Sequence, residues 1–161
     1  MLNTIAAKAT CFDIAASEAF AGYQRRVRAN ADRLAAALAA RDLEILTGGT
    51  DTHMLVVDLR SSGWTGAAAE SRLYEVGVAA NEIAIPFDER PAAETSGLRL
   101  VSPALTMRGF DEEDMAEVAA IVASALRKDA DLASLHARST ALCAKHPLYP
   151  GFRGYCAFLP G

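Results

Sequence analysis

One arginine stands out among the residues of this chain that could do chemistry. Arg99 lies between Leu98 and Leu100 in a run that reads as a strand, after Ser96-Gly97 and before Ser102-Pro103. A permanently charged planar fork placed where the pattern expects an apolar wall takes one of two partners: a carboxylate of the protein or the carboxylate of a ligand. On the residues alone, the structural ion pair is the commoner outcome. The other reactive residue types are scattered. His53, His136 and His146 are far apart in sequence, so a metal site built from them is not expected, and His53 reads as a loop histidine bonded to backbone and not as a catalytic base. Cys11, Cys143 and Cys156 are odd in number and not closely spaced, which excludes a disulfide framework and a CxxC metal knuckle and fits a reducing cytosol. No GxGxxG, Walker A loop, GxSxG elbow or HExxH occurs, so the common self-contained sites for dinucleotides, nucleoside triphosphates, acyl transfer and zinc are absent.

The elements that must position Arg99 are legible from periodicity. From Ile5 to about Arg41 the chain is Ala-rich without Pro, and Tyr23, Val27, Leu34 and Leu38 share one face, which predicts one long helix with Gly22 as its candidate interruption. Arg25, Arg26, Arg28 and Arg33 lie around the other side and read as a solvated face. Leu43 to Leu46, a turn cluster from Thr47 to Thr52, and Met54 to Leu59 read as strand, loop, strand. Thr65 is a candidate N-cap for a helix with Ala69, Leu73 and Val76 inward and Gly77 at C′, followed by a short strand at Val78 to Ala80. Ile85 to Ser96, with Pro86 and Pro91 among acidic residues, reads as a loop, and Leu98 to Val101 as a strand ended by Pro103.

Asp111 opens a further helix with Met115, Val118, Val122 and Leu126 as its apolar stripe. Its first-turn acids Glu112, Glu113 and Asp114 are partners of the helix dipole and not a catalytic pair. A last helix runs from about Asp131 to His146, with Leu132, Leu135 and Leu142 inward and Pro147 as its stop. The organisation expected is a helical segment over 1–43, a small α/β domain over 44–150 and an apolar tail over 151–161 that carries Tyr155, Cys156, Phe158 and Leu159.

Composition narrows the function. With 161 residues and 52% hydrophobic content the chain can pack one core, which excludes bulk disorder and a two-domain enzyme. Its net charge of −4 lacks the basic excess that neutralising phosphates demands, so nucleic acid is not an expected partner. The longest uncharged apolar run, Leu34 to Ala40, is far short of the roughly 20 residues that span a bilayer, and no secretory leader is visible, so a soluble cytoplasmic protein is expected.

Six ordered blocks carry a resemblance. They are Ile5-Ala6-Ala7-Lys8-Ala9, Gly48-Gly49-Thr50-Asp51-Thr52-His53, Val57-Asp58-Leu59-Arg60, Ala84-Ile85-Pro86-Phe87-Asp88, Thr95-Ser96-Gly97-Leu98-Arg99, and Pro103-Ala104-Leu105-Thr106 with Arg108-Gly109-Phe110. Together, from Ile5 to about Tyr149, they resemble the C-terminal portion of serine hydroxymethyltransferase (glycine hydroxymethyltransferase), a dimeric fold-type-I enzyme that uses pyridoxal phosphate. The resemblance implies an α/β fold: a long N-terminal helix and a small antiparallel or mixed sheet covered by helices. It implies that Arg99 grips the carboxylate of serine or glycine. It also implies that the Schiff-base lysine, the ring-stacking His, the Asp facing the pyridine nitrogen and the phosphate contacts belong to a large domain preceding this region, and that Lys8 matches a non-catalytic position.

Three segments depart from the family pattern. Gly-Thr-Pro becomes Val101-Ser102-Pro103, the second Asn of Asn-Lys-Asn, a folate contact, becomes Ile83 in Asn81-Glu82-Ile83, and the Asn before His53 becomes Thr52. The resemblance therefore predicts a chain without bound pyridoxal phosphate or folate and inactive by itself. It is expected to self-associate or to pair with a homologue that bears the large domain, and a non-catalytic interaction module is the alternative. A small-acid binding domain using Arg99 is a third.

Overall fold

The computed structural model describes residues 1–149. The predicted N-terminal helix is two helices, α1 (Leu2–Ala15) and α2 (Glu18–Ala39). The break falls at Ser17 and not at Gly22, because Ser17 is extended and its hydroxyl works on both helices, donating to the Ile14 carbonyl at 2.6 Å and accepting from the Phe20 N–H at 3.2 Å. Gly22 continues α2, where an added Cβ would meet only arginine side chains at 3.8 Å. Val27, Leu34 and Leu38 are buried, Tyr23 is half-buried with its hydroxyl on the Pro103 carbonyl, and the four arginines are exposed.

Four strands, β1 (Glu44–Ile45), β2 (Met54–Asp58), β3 (Asn81–Ile83) and β4 (Gly97–Val101), form a sheet in the order β1-β2-β4-β3, with every pair antiparallel. Pairing of β3 starts three residues later than the expected strand at Val78 to Ala80. The Val78 N–H is taken by the Leu73 carbonyl in closing the preceding helix, so it is not free for a ladder. That helix, α3 (Gly66–Glu75), is capped by Thr65, buries Ala69, Leu73 and Val76, and ends at Gly77 with φ of 76°.

A short helix α4 (Pro103–Met107), not anticipated from sequence, follows β4 directly. The chain then forms α5 (Glu112–Ala125) and α6 (Leu132–Lys145). Leu55, Val57, Leu98 and Leu100 point to one sheet face and share a core with Leu38, Leu73, Met115 and Val122. The other face carries Met54, Val56, Asn81, Arg99 and Val101, and there Met54 and Val101 remain 41% and 45% exposed. This is a two-layer α/β arrangement with helices on one side of an antiparallel sheet. The tail residues Tyr155, Cys156, Phe158 and Leu159 lie outside the described residues.

Candidate functional site

Arg99 sits in the middle of β4, opposite Val56 on β2 and Asn81 on β3. Alternation along the strand sends Leu98 and Leu100 into the core and Arg99 to the face without helices. One Nη2–H donates to the Asn81 Oδ1 at 3.0 Å, while the buried Nε has no partner. Among the described residues no carboxylate lies within ion-pair distance of this guanidinium. Asn81 occupies one of five N–H donors, so an edge of the fork remains for an acceptor.

The surroundings explain what the sequence changes do. Val101, two residues along the same face and paired with Met54, puts a β-branched side chain on the surface beside Arg99. Ile83 is paired with Gly97, and a Cβ on Gly97 would lie 2.6 Å from the Ile83 carbonyl and 3.0 Å from its Cγ2. Ile83 therefore packs over the bare glycine. Ser102 is fully buried: its hydroxyl donates to the Val27 carbonyl at 2.7 Å, and its N–H donates to the His53 carbonyl at 3.0 Å. The nearby Asn30 amide donates to Thr106 Oγ1 and to the Phe110 carbonyl, both at 2.9 Å, so the end of β4 and α4 are locked onto α2 by a satisfied polar seam.

Two carboxylates order the loops around the sheet. Asp88 accepts from the Ser96 hydroxyl at 2.6 Å and from the N–H groups of Ser96, Arg90 and Ile85. Those bonds, the Ser96 hydroxyl first, hold its pKa down to about 2. Asp58, 2% exposed, is gripped by the Arg60 guanidinium, which lowers its pKa against the cost of burial. At the far end, Asp114 forms a capping box with Asp111, beyond the helix-dipole role expected of it, and also accepts from Lys145 Nζ and binds His146 Nε2, each at 2.8 Å. Burial raises the Asp114 pKa, but the bonds from Lys145, the Asp111 N–H and His146 outweigh it, and the net shift is downward. The sequence signal for these roles was the Asx pattern of Asp88-Glu89-Arg90 and the i, i+3 spacing of Asp111 and Asp114.

The remaining candidates stay apart. The exposed His53 ring makes no hydrogen bond among the described residues, and its backbone carbonyl takes the Ser102 contact instead. His136 Nδ1 meets the Glu75 carbonyl at 3.2 Å and His146 meets Asp114. No group of three potential metal ligands forms among the described residues. Cys11 is exposed on α1, and Cys143 lies on α6 with its Sγ 3.6 Å from Arg108 Nη1. No helix among the described residues is long and apolar enough to cross a membrane.

The family profile described as Serine hydroxymethyltransferase matches residues 1–122. The chain is 48% identical over 156 residues to a serine hydroxymethyltransferase of Leifsonia xyli, covering 94% of this chain and 36% of that protein. It is 47% identical to that of Clavibacter michiganensis, with 94% and 37% covered, and 46% identical to that of Corynebacterium efficiens, with 96% and 37% covered. These matches place the small antiparallel α/β domain within one family of transferases. The chain belongs to the serine hydroxymethyltransferase family and spans a little over a third of the length of these relatives.

The described residues do not fit the family's pyridoxal phosphate. Lys8 is exposed on α1, Lys128 is exposed beyond α5, and the exposed Lys145 is engaged by Asp114. None of these lysines belongs to a strand of the sheet that carries Arg99.

Proposed function

We propose that this chain is the small-domain part of a serine hydroxymethyltransferase-type enzyme and that Arg99 grips the substrate carboxylate. The family reaction exchanges a one-carbon unit between serine and tetrahydrofolate, with pyridoxal phosphate as the electron sink. The observation that carries this reading is the Arg99 guanidinium, whose buried Nε is unpartnered and which, among the described residues, has no helix on its sheet face and no carboxylate to neutralise it. A bidentate carboxylate satisfies such a fork in geometry and in charge. Asn81 then acts as the positioning residue, since its amide oxygen fixes the guanidinium plane.

In this reading the chain is inactive by itself: its lysines among the described residues are Lys8, Lys128 and Lys145, and none belongs to the sheet that carries Arg99. Mixing the chain with pyridoxal phosphate, reducing with borohydride and mapping the adducts by mass spectrometry should give only substoichiometric, scattered labelling. Stoichiometric labelling of one lysine overturns this part of the reading. The clamp is tested by co-expressing the chain with the portion of the Leifsonia xyli relative that it does not span. L-serine is then titrated into the assembly and followed by the cofactor's absorbance. Arg99→Lys should weaken serine at least about 10-fold, the loss of one bidentate contact. Unchanged affinity removes Arg99 from the site. A second reading, a non-catalytic interaction module, is favoured by the exposed apolar helix at the N-terminus.

A further inference from the structure

We propose that the cavity between α4, α5 and α6 is a binding site for a small monocarboxylate with an aryl or branched hydrocarbon body. The cavity measures about 270 Å³, and Arg99 does not line it. Its walls are mostly apolar: Leu105 of α4, Phe110 before α5, Val118 and Ile121 of α5, and Leu142 of α6. An apolar cavity of roughly 150 Å³ already holds benzene, so this one has room for a ring and a short substituent. Water alone fits it poorly, because several molecules would share few polar side chains.

Two polar features choose the ligand. Ser139 and Cys143 stand one helical turn apart on α6, and Arg108 reaches them from the end of α4. Ser139 is 8% exposed, and among the described residues its hydroxyl has no hydrogen-bond partner. A buried hydroxyl left unsatisfied is destabilising, so the cavity's contents are its natural partner. Bare backbone keeps that end open, since a Cβ added at Gly77 would stand 3.2 Å from Ser139 Oγ. Arg108 supplies the charge. Its Nε and Nη2 donate to the His146 and Cys143 carbonyls, which fixes the guanidinium, whereas among the described residues Nη1 meets only the Cys143 Sγ, at 3.6 Å. Sulfur is a weak acceptor, so Nη1 keeps its capacity to donate. Among the described residues no carboxylate lines the cavity and none pairs with Arg108. A carboxylate takes up Nη1 and the Ser139 hydroxyl, and a hydrocarbon body covers the apolar wall.

The test titrates phenylacetate into the full chain and follows amide chemical shifts. Saturable one-to-one binding at or below about 1 mM is expected for a ligand of about ten non-hydrogen atoms, with the shifts centred on Leu105, Ser139 and Cys143. Ala104→Trp, a substitution at an exposed residue of the rim, should abolish binding, and Ser139→Ala should weaken it at least about 5-fold. Both variants should keep the wild-type circular dichroism spectrum, because Ala104 is exposed and the Ser139 hydroxyl bonds nothing among the described residues. Toluene, the same ring without the carboxylate, should bind at least about 10-fold more weakly. Arg99→Ala should bind phenylacetate as the wild type does. The inference is overturned if no binding is seen up to about 10 mM, or if either cavity variant binds as tightly as the wild type. It is also overturned if toluene matches phenylacetate, since Arg108 and Ser139 then take no part. Loss of binding in Arg99→Ala would overturn it too, because the acid would then sit on the open sheet face.

Discussion

At the scale of single residues, the chain distinguishes charges that hold the fold from one that does not. Among the described residues Arg99 has an amide partner and no ion pair, so Arg99→Ala should cost at most about 1 kcal/mol in a denaturant titration, within the range of partly solvated polar changes. A loss of about 3–5 kcal/mol would mean a broken buried pair and would return Arg99 to a structural role. Asp114 is the contrasting case. It is 3% exposed and ties the start of α5 to the end of α6, but Lys145 is largely solvated, so Asp114→Asn should cost about 1–3 kcal/mol and not the full value for a buried pair.

Both Asp114 and Asp88 have pKa values lowered by folding. The unfolded state therefore binds protons first, and the stability these groups contribute is complete above about pH 4. For Asp88 it is lost as pH falls toward about 2. The amide resonances of Ser96 and Arg90 should shift together in that window and should be insensitive to pH above it. Movement of either near neutral pH would contradict the geometry.

At the scale of elements, the sharpest constraints lie where chains approach closely. Gly97→Ala would press a methyl group to 2.6 Å from the Ile83 carbonyl and from Ile85 Cγ2, so the β3–β4 edge must open. A loss of about 1–3 kcal/mol is expected, with weakened exchange protection in β3. Ser17 is the joint between α1 and α2. Ser17→Ala should remove about 1 kcal/mol from the first turn of α2, read as faster hydrogen exchange at the Phe20 amide, and should leave the amides near Leu34 unchanged.

At the scale of the whole molecule, all of α1 is exposed among the described residues, as are Met54 and Val101 on the Arg99 face of the sheet. The isolated chain should bind an apolar dye, and Ile5→Glu/Phe12→Glu should reduce that signal. Folate recognition is expected to be absent even in an assembled complex. Ile83 packs over Gly97 and can neither donate nor accept, and each ligand group left unpaired costs about 1–3 kcal/mol. Calorimetry with tetrahydrofolate on the chain and on the co-expressed assembly tests this, and saturable micromolar binding in either would show that Ile83 is no obstacle.

The sequence by itself determined the elements whose apolar period and caps agree. The helix after Asp111 has both its stripe and its acidic first turn, the helix after Thr65 has its cap and Gly77, and Leu98 to Val101 stands out as a strand with one misplaced charge. These are local signals, set by side-chain direction and by the orphan donors of a helix end. The ordered blocks likewise pointed to the family. Only the tertiary structure decided matters that depend on residues distant along the chain. It placed the break at Ser17, because a hydroxyl outbids a glycine when it can bond both helices. It moved β3 to Asn81, because the Val78 N–H was already used, and it made α4, because Ser102, Thr106 and Asn30 complete one another's hydrogen bonds across more than 70 positions. The partner of Arg99 was equally beyond the sequence. Whether a guanidinium in a strand meets a carboxylate is settled by which strand lies beside it, and β3 brought Asn81.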